Sequence, residues 1–149
     1  MDNITIGVDP GLDGAISIVI DHGAAHVYDL PIIEDGSLKW VDGAALTSLI
    51  LQHPGRKWAY VERAQAMPKQ GVSSAFNYGV GFGAVLSVIQ ALQIPLELVG
   101  PSRWKKAMGL DQDKRASVNK ARMLFPHADL SLVKHHGRAE AFLLAHWAR

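Results

Sequence analysis

Three short apolar segments follow one another with very little chain between them, and this constrains the fold more than any other feature. Ile4–Val8 runs into Asp9-Pro10-Gly11, Gly14–Ile20 runs into Asp21-His22-Gly23, and Ala24–Leu30 comes at once after that. Segments rich in β-branched residues, bounded by Asp, Pro and Gly, read as strands. Connections this short join only antiparallel neighbours, because a parallel return needs a crossover of a dozen residues or more. The chain therefore begins as a three-stranded antiparallel meander.

Beyond the meander the chain alternates in period. Val41–Leu51 carries Val41, Ala44, Ala45 and Leu49 at helical spacing and stops at His53-Pro54-Gly55. Lys57–Val61 is a fourth strand, apolar enough to be buried on both faces. Ser73–Leu92 reads as a long apolar helix, with Ser73 and Ser74 placed to cap it. Its Gly79, Gly81 and Gly83 each cost roughly 1 kcal/mol of helix propensity relative to Ala, so they should serve the close approach of another backbone. Pro95–Val99 is a fifth strand. The remainder is helical, around Ser102–Met108, over Lys114–Leu124 up to Pro126, and over Arg138–Trp147. Strands reached through helices lie in a mixed sheet covered on both faces. The expectation is an α/β fold, a single domain over residues 1–149, with a mixed five-stranded sheet flanked by helices. That is the element order of a ribonuclease-H-like domain.

Composition narrows the chemistry. The chain has no cysteine, which removes disulfides, thiolate metal sites and cysteine nucleophiles. No unbroken run of 18 apolar residues occurs, so no membrane crossing is expected. The N-terminus enters a strand without a charged and then apolar leader. A cytoplasmic setting, as in a phage or bacterium, is expected, with an organelle left open. Formal net charge is only +1, but its distribution is uneven. From Arg103 to Arg122 the chain carries Arg103, Lys105, Lys106, Lys114, Arg115, Lys120 and Arg122 against Asp111 and Asp113. Such a stretch is either a solvated helix face or a phosphate-binding surface.

Three carboxylates stand at matching places. Asp9 ends the first strand and Glu62 ends the fourth, and in this topology those strands are neighbours. Asp9 alone would be ordinary Asp-Pro-Gly turn chemistry, and Glu62 alone a solvated acid. Side by side they repel unless a cation sits between them, and oxygen-only ligation suits Mg²⁺. Glu140, at the start of the last helix, can point back at the same sheet edge, although an acid in a first helical turn is also favoured by the helix dipole.

The blocks around these acids resemble the active-site blocks of RuvC-type Holliday junction resolvases, most of all the compact versions of phages and organelles. They are Gly7-Val8-Asp9-Pro10-Gly11-Leu12-Asp13-Gly14-Ala15, Val61-Glu62-Arg63-Ala64-Gln65-Ala66-Met67-Pro68-Lys69-Gln70, and Gly137-Arg138-Ala139-Glu140-Ala141-Phe142-Leu143-Leu144-Ala145. The resemblance runs from about Ile4 to Ala145. It implies a homodimer that resolves four-way DNA junctions by paired symmetric nicks. It also implies hydrolysis with two Mg²⁺ per active site, or Mn²⁺ in their place, and no covalent intermediate.

Of the family's four metal ligands, three map onto Asp9, Glu62 and Glu140. Where an Asp commonly precedes the final acid, this chain has only His135 and His136. Either is a candidate ligand or assistant to the attacking water, with His136 four residues before Glu140 on one helical face. Both also read as loop residues beside DNA.

The polar loop after Glu62, with Arg63, Gln65, Lys69 and Gln70, is expected at the junction centre. Phosphate contacts are expected from Arg103, Lys105, Lys106, Lys114, Arg115 and Arg138. Trp104, Phe76 and Tyr78 could stack on bases, with core packing expected for at least two of them. Phe76, Val80, Phe82, Ala84, Leu86, Val88 and Ile89 make the long helix more apolar than one buried stripe requires, which suits a dimer surface or a helix buried on several sides within one domain. Two other readings remain. A sugar kinase or ATPase of the actin kind shares the first block but needs a second domain. A catalytically weak or silent branched-DNA-binding protein is compatible with the histidine pair.

Overall fold

The computed structural model describes residues 1–149 except Ala64 and Gln112, and the side chain of Val133 is also outside the description. The meander forms as the turn signals require. β1 (Asn3–Asp9), β2 (Ala15–Ile20) and β3 (Ala25–Asp29) pair antiparallel, with Thr5 opposite Val19 and Ser17 opposite Val27.

The chain then makes a hairpin that the sequence reading missed, β4 (Ile32–Asp35) and β5 (Leu38–Val41), outside the main sheet. Its two-residue turn, Gly36-Ser37, has Gly36 at φ 60°, the positive value that a Gly in the first turn position supplies. Val41 therefore ends a strand, and α1 (Gly43–Leu51) begins two residues later, capped by the Asp42 carboxylate accepting from Ala45 N–H at 3.0 Å.

β6 (Arg56–Glu62) pairs parallel to β1, and β7 (Leu96–Val99) pairs parallel to β6, giving the sheet order β3-β2-β1-β6-β7. Between them runs α2 (Val72–Ala91). After β7 come α3 (Pro101–Ala107), α4 (Lys114–Leu124), a 3-10 turn at Val133–His135 and α5 (His136–Ala148). The mixed five-stranded sheet flanked by helices stands as expected.

Strand alternation splits the core in two. Ile4, Ile6 and Val8 of β1 join Ala59 and Val61 of β6 under α1 and α2. On the other face, Val19 packs with Trp104, Val118, Ala121 and the α5 residues Phe142 to Ala145. α5 lies very close to the sheet. A Cβ on Gly7 would run into the backbone of Ala141 and Ala145, and the buried Ser17 hydroxyl donates to Ala141 O at 2.7 Å.

α2 departs from expectation in three ways. Its N-cap is Gly71 with no side-chain cap, so Ser73 and Ser74 lie inside the first turn rather than before it. Only Gly81 meets another backbone, its would-be Cβ lying 2.8 Å from Pro10 O, whereas Gly79 and Gly83 face open space. The helix is also long and apolar enough to cross a membrane, contrary to the reading from unbroken runs. In the fold, however, it anchors the first core through Gly81, Val85 and Ile89.

Candidate metal centre

Register places the first two acids. Val8 is paired with Val61, so Asp9 and Glu62 are the next residues on adjacent parallel strands. Alternation then turns both away from the Val8 and Val61 face, toward α5. Because Gly7 lets that helix settle on β1, Glu140, in its second turn, reaches the same point. Gly137 serves the same end one turn earlier, since a Cβ there would lie 2.9 Å from Asp13 O and 3.4 Å from Asp9 Oδ2. The three carboxylates each offer an oxygen within 4.8 Å of the others. Among the described residues this is the one group of three or more such side chains close enough to hold an ion.

Electrostatics shows the strain of bringing them together. Burial, then the Glu140 carboxylate, push Asp9 up from 3.8 to about 7, against a hydrogen bond from the Gly11 backbone. Burial, then Glu140 and Asp9, push Glu62 up from 4.5 to about 8. Carboxyls raised this far hold protons at neutral pH unless another cation takes their place. One cation from the chain is already there: Lys105 Nζ lies 3.0 Å from Glu140 Oε1, with both side chains mostly buried. Lys105 was expected on phosphate. The structure instead turns it into the acidic centre, because Trp104 beside it is fully buried and fixes α3 against α5. No feature of the sequence separated Lys105 from the other basic residues of its stretch.

The two histidines part company. His135 is buried, with Nδ1 accepting from Leu132 N–H at 3.3 Å and lying 3.7 Å from Asp129 Oδ1, outside the carboxylate group. His136 opens α5 and lines a cavity with Asp9, Gly11, Asp13, Asn77 and Tyr78, beside the carboxylates but not within their close group. Tyr78 was not foreseen here. Its ring packs on Gly11, whose Cβ would lie 3.2 Å from it, and burial together with the acids raises its phenol well above the ordinary value.

The expected DNA contacts divide by what already holds them. Arg63, Gln65, Lys69, Lys106, Lys114 and Arg115 are exposed. Arg63, Gln65 and Lys106 line a groove of about 780 Å³ that begins at Glu62. Ala64, inside the second matching block, lies outside the described residues. Gln70 is used within the loop, accepting from Met67 N–H at 3.0 Å and donating to Ser74 Oγ at 3.3 Å. Arg103 pairs with Glu97 at 2.8 Å and lies over the Trp147 ring.

Arg138 forks onto Asp29 at 2.7 and 3.0 Å and reaches Asp129 at 3.1 Å, so its donors tie β3 to α5 rather than awaiting phosphate. Of the three aromatics, Trp104 is core, Tyr78 is half-buried and Phe76 is 71% exposed, so one and not two is fully packed away. The expected dimer face shrinks likewise: Phe82, Ala84, Leu86, Val88 and Ile89 all pack on the first core. What remains open is Val72 at 88%, Phe76 and Val80, beside Gly79 and Gly83.

No family model matches the chain. Over 99 residues, 64% of this chain, it is 33% identical to the Holliday junction resolvase MOC1, chloroplastic, of Chlamydomonas reinhardtii. The matched segment is 11% of that relative's length. Two structures of RuvC from Thermus thermophilus superpose on it. One, at 17% identity, has a TM-score of 0.68 and covers 97% of this chain and 92% of its own. The other is RuvC in complex with Holliday junction substrate, at 16% identity and TM-score 0.64, covering 97% and 91%. The fold is that of RuvC, and the resemblance read from the three sequence blocks is borne out.

Proposed function

We propose that this chain is a divalent-metal-dependent endonuclease that cuts four-way DNA junctions, acting as a dimer. The observation that carries the reading is the convergence of Asp9, Glu62 and Glu140 from three elements onto one point, at a cost in charge repulsion that a structural role does not explain. The donor set fits a hard divalent ion, being oxygen-only and mostly shielded from water. Asp9, Glu62 and Glu140 would hold the metal, with His136 the candidate fourth ligand. Bound there, divalent ions supply Lewis acidity toward a phosphodiester and a nucleophile active at neutral pH.

The chain's own residues then account for orientation. Lys105, which lies 3.0 Å from Glu140, would be placed to meet a phosphate oxygen at the same point were that carboxylate to hold a metal. Arg63, Gln65 and Lys106 along the adjoining groove, with the exposed Lys69 of the same loop, would hold the flanking backbone. The relative's resolvase activity and the neighbour's junction complex name the substrate class, and the relative's chloroplast address fits the organelle alternative.

A junction has near two-fold symmetry and needs two nicks, whereas each chain supplies one centre, so a dyad dimer matches it. The exposed Val72, Phe76 and Val80 row of α2 supports that surface, and Trp40, 36% exposed, lies on β5, which packs on α2. The test is cleavage of a synthetic four-way junction with Mg²⁺, with Mn²⁺ and with chelator. Paired nicks that need the metal are expected. Tight junction binding without nicking under either metal would make the chain a silent branched-DNA binder.

A further inference from the structure

A second cluster of ligating groups lies on the other face of the sheet from the carboxylates, on the edge strand β3 two strands from β1. His26 and Tyr28 are two apart on that strand and so share a side, where His53 meets them from the segment joining α1 to β6. The His26 and His53 ring centres are 5.2 Å apart, and the Tyr28 hydroxyl lies 3.2 Å from His53 Nε2. His26 is exposed, and Tyr28 and His53 are half-buried.

We propose that His26, His53 and Tyr28 form a binding site for one imidazole-preferring divalent ion of the zinc class, distinct from the carboxylate centre. The donors are two imidazoles and a phenol, a set that suits zinc, nickel or copper, whereas oxygen-only sets suit magnesium and manganese. The ring-centre spacing fits two ligands of one ion. With zinc–nitrogen bonds of about 2.1 Å, two imidazoles on one tetrahedral ion hold their ring centres roughly 5 Å apart, and neighbouring donor atoms roughly 3.3 Å apart. The His26–His53 ring centres meet the first figure and the Tyr28 hydroxyl and His53 Nε2 meet the second, so an ion between them would replace the Tyr28–His53 hydrogen bond.

Burial, aided by the charges of His26 and Lys57, holds His53 below its ordinary value, which leaves its ring neutral and able to ligate at pH 7. Lys57 opposes a cation here, although its ammonium is tethered to Gly55 O at 3.1 Å. A bound ion would staple the edge strand to the segment that leads into β6, the strand that ends in Glu62.

The test is calorimetric titration of the whole chain with Zn²⁺ in excess Mg²⁺, repeated on the Asp9→Asn, Glu62→Gln double variant, which lacks the carboxylate centre. One Zn²⁺ per chain should bind in both. His26→Asn and His53→Asn should each weaken it at least about tenfold, Tyr28→Phe should weaken it less, and Lys57→Gln should tighten it. Since His26 is exposed, its variant should unfold at the wild-type temperature without zinc, which separates a lost ligand from a lost fold. Titration curves unchanged by both histidine variants, zinc binding that vanishes with Asp9 and Glu62, or no binding at all would each overturn the assignment.

Discussion

Two of the helices that cover the sheet are opposites. α5 has 13 residues, of which seven are buried, and it lies on Gly7 so closely that no larger residue fits. α2 has 20 residues, of which three are buried, and it leaves Val72, Phe76 and Val80 in the open. Both are apolar, and composition would call both core helices. The difference lies in what each one's position is for. α5 carries Glu140, whose oxygen must sit within a few ångströms of two others, so its every side is fixed. α2 anchors by one stripe and presents another. α5 is packed as a platform for the carboxylate centre, and α2 leaves open the stripe proposed as the dimer surface.

The strongest way to break the α5 side is at the carboxylates themselves. Asp9→Asn, Glu62→Gln and Glu140→Gln should each lower junction cleavage by about a thousandfold or more, the several kcal/mol expected of a lost metal ligand. Junction binding should stay intact or tighten, since each change removes negative charge near phosphate. Single-turnover nicking with gel-shift titration on the same proteins decides this, and near-normal nicking by any one variant would remove that residue from the site.

Moving α5 without touching the acids is the next step. Gly7→Ala should destabilise the chain by about 3 kcal/mol, as expected when a core contact is overpacked, and lower cleavage because Glu140 is pushed off its neighbours. Denaturant unfolding measures the first effect. A variant of wild-type stability would show that α5 can slide, and that Glu140 is not placed by the Gly7 contact.

A third prediction uses pH. In the folded, metal-free chain Asp9 and Glu62 keep their protons to about 7 and about 8, but unfolded they lose them near 3.8 and 4.5. Folding therefore takes up protons across that window. The contribution of these two groups is full below about pH 4 and is lost as pH rises through 7 and 8, a change of a few kcal/mol for the pair. Saturating Mg²⁺ or Mn²⁺ should flatten the slope, as should the Asp9→Asn, Glu62→Gln double variant. Unfolding temperatures from pH 5 to 8.5 in chelator provide the check, and a slope equal in wild type and double variant would refute the assignment.

The α2 side yields the smallest energies. Phe76→Glu or Val80→Lys should shift the chain from about twice 16.2 kDa toward the single-chain mass in sedimentation equilibrium, and uncouple the two nicks. Gly83→Ala separates the alternatives further. In a lone chain it should stabilise by roughly 1 kcal/mol through helix propensity, because the space around it is open. In a dimer whose helices meet there, it should weaken association instead.

Much of this was legible in the residues because it depends on near neighbours. The meander comes from two turns of Asp, Pro and Gly, and β6 lies beside β1 because the crossover must return through a helix. Those two facts alone put Asp9 next to Glu62. The hairpin β4–β5 was legible and overlooked, for Gly36-Ser37 between Ile32-Ile33 and Leu38-Lys39-Trp40 is a recognised two-residue hairpin turn.

Other features belong to the tertiary structure. Lys105 and Lys106 are adjacent in sequence and alike in chemistry, yet one sits among the acids and the other in solvent, because only packing around Trp104 sets the rotation of α3. Arg138 is drawn off by Asp29, 109 residues away. The apolar residues of α2 divide into a buried and an open set only once the sheet and the hairpin are in place beside it. Sequence patterning determined which elements form and in what order they pair, since period and turn chemistry are local. Which member of each basic, histidine or apolar group lies beside the carboxylates or stays open was decided by helix rotation and close approach, which are set by contacts between distant parts of the chain.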